Sequence, residues 1–183
     1  MSNPRRARSA PGPDESAGSH AGGSSADVPW LSAEEQRAWR AYVVGSTWLM
    51  DQLDRDLQTR HGISMSEYEV LVRLSEAPGR RCRMAVLSDA LRHSRSRMTH
   101  TVARLERAGL VCREAAATDG RGVDAVLLDP GLQLLQRAAP DHVRGVRRWF
   151  LDQGGPEHVK GVGELFGRIT DLLTDGHPEA DIR

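Results

Sequence analysis

One lysine against twenty-four arginines is the sharpest deficit in this sequence. A ratio so lopsided reflects genome composition, so no arginine is read as chosen over lysine at its own site. Cysteine is scarce too. Cys82 and Cys112 make no disulfide framework, and a reducing cytoplasm is the simplest setting. Free cysteines of this kind are usually small buried residues, and both are expected to be so. No run of about 18 apolar residues occurs, so no membrane helix is expected. Arg5, Arg6 and Arg8 are not followed by an apolar stretch, which argues against a secretory signal. No nucleophile elbow or Gly-rich phosphate loop is present, and no cysteine or carboxylate completes a metal-ligand spacing around His93 and His100. The reading is therefore no catalysis, no metal and no cofactor.

What is present is uneven charge. The 183 residues carry no net charge, yet residues 80–122 hold ten arginines against four acids. A neutral chain that gathers positive charge in one segment has a polyanion as its natural partner. A solvated arginine-rich surface is the bland alternative, and the local order of helices and turns separates the two.

Residues 1–29 are rich in Gly, Ser, Pro and Ala without hydrophobic periodicity and read as a disordered tail. A capping box, Ser32 with Glu35, then starts a long helix that stops at His61-Gly62. A second box, Ser64 with Glu67, starts the next helix, which Ala77-Pro78-Gly79 ends. Arg81 to Arg83 reads as a short strand and Ala85 to Leu91 as a short helix. Ser94 caps a further helix ending at Ala108-Gly109. In it Met98, Val102 and Leu105 face the core, while Ser96, His100, Ala103 and Arg107 face away. Leu110–Glu114 and Val123–Leu128 read as the strands of a hairpin with a Gly-rich tip. Asp129-Pro130 reads as a helix start with Asp as the cap, and Pro140 predicts a kink or break in that helix. The last helix covers about Glu157 to Thr174, and the end of the chain frays.

Two helices joined by a tight turn and followed by a hairpin form a winged helix-turn-helix. The second helix of such a pair enters the DNA major groove N-terminus first. Here that turn is Ser94-Arg95-Ser96-Arg97, with Thr99, His100 and Arg104 continuing the accessible surface. Arginine can bond guanine bidentately, and serine can bond base edges or phosphate. Thr99 has an alternative, a bond back to the Arg95 carbonyl. At the hairpin tip, Arg121 between glycines is placed to enter the minor groove, with Asp119 to hold it; a merely exposed loop is the other reading.

These residues resemble the MarR family of bacterial transcriptional regulators. The likeness spans about residues 32–174. It rests on Ile63 to Leu71, on Ser94 to Glu106 (SRSRMTHTVARLE), on Ala108 to Arg113 and on the Asp119-Gly120-Arg121-Gly122 wing. Ala85-Val86 stands where the family usually has Ser-Glu, Ser88 where it has Ala, and Leu128 where it often has Thr. The Ser88 departure is expected to alter packing at the turn. The resemblance implies a mainly α fold with a small β-hairpin wing, a winged helix-turn-helix flanked by N- and C-terminal dimerisation helices. On this division residues 63–128 bind DNA, 30–62 and 129–175 dimerise, and 176–183 fray. It further implies a homodimer on a pseudo-palindromic operator, acting as a repressor of nearby genes under the control of a small phenolic or anionic ligand. A winged module that binds protein and not DNA is the alternative. Seven of eight aromatics, all but Tyr68, lie in the terminal parts, where large anchors suit an interface. Tyr42, Ser46, Trp48, His61 and Arg73 are ligand candidates by rough position only.

Overall fold

The computed structural model describes residues 28–116 and 122–174. Its elements run α1 (Ala33–His61), α2 (Met65–Glu76), β1 (Arg81–Arg83), α3 (Met84–Ala90), α4 (Arg95–Arg107), β2 (Val111–Ala115), β3 (Val123–Leu127), α5 (Asp129–Trp149) and α6 (Pro156–Thr174). The expected tail up to residue 27, the hairpin tip at 117–121 and the end from 175 lie outside the described residues. The boundary between two compact units falls after Ala38. Before it, Glu35 N donates to Ser32 Oγ (3.2 Å) and Ser32 N donates to the Glu35 carboxylate (2.7 Å). This is the reciprocal cap read from Ser-x-x-Glu, and it draws the Glu35 carboxyl below its ordinary range.

In the second unit the same device starts α2. Ser64 Oγ accepts from Glu67 N, and Glu67 accepts from Ser64 N at 2.8 Å. Residues 78–80 make a 3-10 turn into β1. The sheet order is β1-β3-β2, antiparallel throughout, with Cys82 and Arg113 both opposite Ala125. The hairpin read from the sequence thus gains a third strand. Leu71, Leu74, Leu87, Met98, Val102 and Leu105 form the aliphatic centre of the core, all 0–1% exposed.

Gly109, at φ +69°, ends α4. Its N–H donates to Glu106 O, and Leu110 N–H donates to Leu105 O. These are the paired bonds of a Schellman cap, whose left-handed residue favours glycine. Gly131 serves a different need. A Cβ there would collide with the Leu110 carbonyl oxygen, so only glycine lets α5 start against the end of the wing.

Three expectations need correction. Asp129 is not the cap of α5. Leu128 occupies that position without a side-chain bond, and the Asp129 carboxylate instead accepts from Arg80 at 2.9 Å. Pro140 does not break α5, which continues to Trp149. Both cysteines are half-buried and not core residues; burial and the neighbouring Glu114 carboxylate push the Cys112 thiol up. Ser88 is buried, and its hydroxyl is satisfied by donating to Met84 O (2.9 Å).

Candidate nucleic-acid interface

α3, a turn and α4 make the helix pair. Arg92 turns the chain with φ +52°, and His93 N–H donates back to Ser88 O. Ser94 then caps α4 in extended conformation, its Oγ accepting from Arg97 N at 3.2 Å. Met98 and Val102 are fully buried, Leu105 is 1% exposed and Thr101 8%. Rotation about that buried stripe leaves Ser94, Arg95, Ser96, Arg97, Thr99, His100 and Arg104 exposed on the other side.

Their roles divide on inspection. The Arg95 guanidinium makes no hydrogen bond or ion pair among the described residues. Arg97 donates to Ser66 Oγ at 3.0 Å. Its charge also opposes the upward push that burial gives the Glu69 carboxyl, and it adds to the burial that lowers the His93 imidazole. Thr99 Oγ1 donates to Arg95 O at 2.8 Å, the alternative open at the sequence level. Arg104 donates to the buried Glu67 carboxylate at 2.8 Å. Asp119 and Arg121 lie outside the described residues.

Five of the nine described arginines of residues 80–122 are ion-paired within the fold. Arg80 pairs with Asp129, Arg81 with Glu114, Arg83 with Asp124, Arg104 with Glu67 and Arg113 with Glu106. The last pair explains the spacing of the RLE-x-AGLV-x-R stretch. Glu106 on α4 accepts from the Arg113 backbone and guanidinium on β2, and those hydrogen bonds hold its carboxyl below the usual range. Among the described residues, the side chains of Arg92, Arg95 and Arg107 are left with neither an ion pair nor a hydrogen bond. Arg92 was not singled out from sequence, although its place two residues before the Ser94 cap was a usable signal.

A separate cavity of about 1000 Å³ opens among α1, α2, α5 and α6. Tyr42, Ser46 and Arg73 line it, with Tyr68, His142, Trp149 and Phe166. Trp48 is 63% exposed and not part of the lining, and His61 bonds Asp141 at 2.8 Å. The His142 Nδ1 is buried with no hydrogen-bond partner among the described residues, and burial lowers its imidazole pKa.

The family model of the MarR family matches residues 61–122. A search of curated proteins finds no match. Sco3205 from Streptomyces coelicolor, a MarR family transcriptional regulator solved in complex with DNA, is 44% identical, with a TM-score of 0.75 over 79% of this chain and 94% of its own. AbsC from the same organism, also a MarR family transcriptional regulator, is 40% identical, with a TM-score of 0.76 over 81% of this chain and 99% of its own. CouR from Rhodococcus jostii RHA1, solved with p-coumaroyl-CoA, is 20% identical (TM-score 0.62, over 78% of this chain and 95% of its own) and shares the fold.

Proposed function

The chain belongs to the MarR family, and we propose that it is a DNA-binding transcriptional regulator, a homodimer that represses nearby genes from a pseudo-palindromic operator in the cytoplasm. One observation carries this reading: a helix with one buried stripe presents Ser94, Arg95, Ser96, Arg97, Thr99 and His100 outward, directly after a tight turn and before an antiparallel hairpin. In this reading Arg95 and Arg97 read base edges, with Ser96 and His100 beside them. Ser94 and Arg92 meet phosphate, and the Thr99 methyl group packs against a base while its hydroxyl stays on the Arg95 carbonyl. Arg121 inserts from the wing, steadied by Asp119. Residues 63–128 form the reading head, and 30–62 with 129–175 pair the two protomers. The exposed Leu165, Ile169, Leu172 and Leu173 of α6, with Val43, Val44 and Trp48 of α1, are the apolar surface such pairing needs. The cavity of about 1000 Å³ takes the regulating ligand, a small phenolic or anionic molecule with an apolar body.

Salt titration of binding to the DNA flanking the protein's own gene tests the reading. Several phosphate contacts per dimer give a steep fall of log K with log salt, about 0.9 per phosphate neutralised. A flat dependence would sink it. Arg95→Ala or Arg97→Ala should cost about 1–3 kcal/mol and relax preference at one base pair in each half-site.

A further inference from the structure

Arg104 stands on the exposed side of α4, yet its guanidinium is turned toward the protein. Its NH2 lies 2.8 Å from Glu67 Oε2, and the same oxygen accepts from Ser64 N at 2.8 Å and Ser64 Oγ at 2.9 Å. The Glu67 side chain is only 7% exposed, while that of Arg104 is 55% exposed. The carboxylate therefore cannot reach DNA, and among the described residues it is the one acid that pairs with Arg104. A buried carboxylate held by one serine and one cation costs stability when the cation is removed, because the charge is then left without its partner. The bond also joins two elements. Glu67 is in the first turn of α2, and Arg104 lies in the last turns of α4. At the other end of α4, Arg97 bonds Ser66 in that same first turn of α2. Two arginines seven residues apart thus fasten one face of α4 to the start of α2.

We infer that Arg104 is a positioning residue, which sets the pitch of the reading helix through Glu67 and makes no contact that DNA affinity depends on. This rests on α4 being the DNA-reading helix. The consequence is specific. A phosphate contact, when lost, weakens all DNA alike and lowers the salt slope. A lost positioning bond tilts the helix, so base contacts fail while the phosphate count stays the same.

The test uses the full-length protein, a duplex that it selects from random sequence, and an unselected random duplex. Arg104→Gln should lose roughly tenfold of its preference for the selected duplex, within the range of couplings between contacting groups, with an unchanged salt slope. Glu67→Gln keeps an acceptor for Ser64 but removes the charge, and should lose a similar share of the preference. The double variant should be no worse than either single one, since both break the same bond. Thermal unfolding confirms that each variant is folded, and loss of preference in a folded variant is not explained by stability alone. The inference is overturned if Arg104→Gln weakens both duplexes equally with a shallower slope while Glu67→Gln keeps full preference. If the unmodified protein binds neither duplex in a salt-dependent way, the DNA reading of α4 fails as well, and that outcome is distinct from the first.

Discussion

Arg92 holds a left-handed backbone, φ +52°, that side-chain-bearing residues rarely adopt. Its side chain makes no described contact that would account for the strain. Arg92→Gly should therefore raise the stability by up to about 1 kcal/mol and weaken DNA binding at the same time, which paired unfolding and gel-shift measurements would reveal; a gain in both would remove Arg92 from the interface. His142 and His93 make a second residue-scale prediction. Burial lowers both imidazoles, with Arg97 adding to the effect at His93. Each favours its neutral form in the fold, so its contribution is fully present above the unfolded value of about 6.5. It is lost as pH falls from there toward the lowered folded value. The unfolding midpoint should drop from pH 7 to pH 5.5, and His142→Gln should flatten part of that drop. At this scale, sequence showed position but not engagement. The outward direction of Arg95, Arg97 and Arg104 followed from the helical period. The partner of Arg104 is 37 residues away, that of Arg80 is 49 and that of Arg81 is 33, and no local pattern announces such pairs.

The elements were legible wherever a boundary is written in adjacent residues. Ser-x-x-Glu marks two helix starts because the cap is made within four residues, and Gly109 marks a helix end because the left-handed turn is its own. Asp129 misled for the opposite reason. Its carboxylate is drawn to Arg80, a competitor outside the helix, and the cap moves to Leu128. Of the kink or break that Pro140 suggests, the break does not occur, because neighbouring packing keeps α5 continuous; Leu135, Ala138 and Gly145 are buried on either side of it. Gly131 supplies the prediction at this scale. Gly131→Ala places a methyl on the Leu110 carbonyl and against a Leu127 methyl. Main chain gives way less readily than a side-chain end, so the cost should be about 1–3 kcal/mol, read by denaturant unfolding. A loss under half of that would mean α5 can shift away from the wing.

For the molecule as a whole, the concentration of arginine in one segment was legible in the sequence, and the pairing of charges within it was not. The apolar residues left exposed on α6 set the test. Leu165→Glu with Ile169→Glu should lower the sedimenting mass from two chains to one and abolish tight operator binding. A dimer that survives both changes would place the interface elsewhere. The spread of ion pairs across the arginine segment also has a consequence for regulation. With six of the nine described guanidinium groups of residues 80–122 engaged within each protomer, a single head offers a phosphate backbone fewer charges than the sequence count and holds DNA less tightly than two heads together. Tight occupancy then depends on both heads landing together, where the second contact gains from effective concentration. While dimers are scarce, promoter occupancy should climb with the square of protomer concentration. The switch would thus respond to how much protein the cell makes as sharply as to what the protein binds.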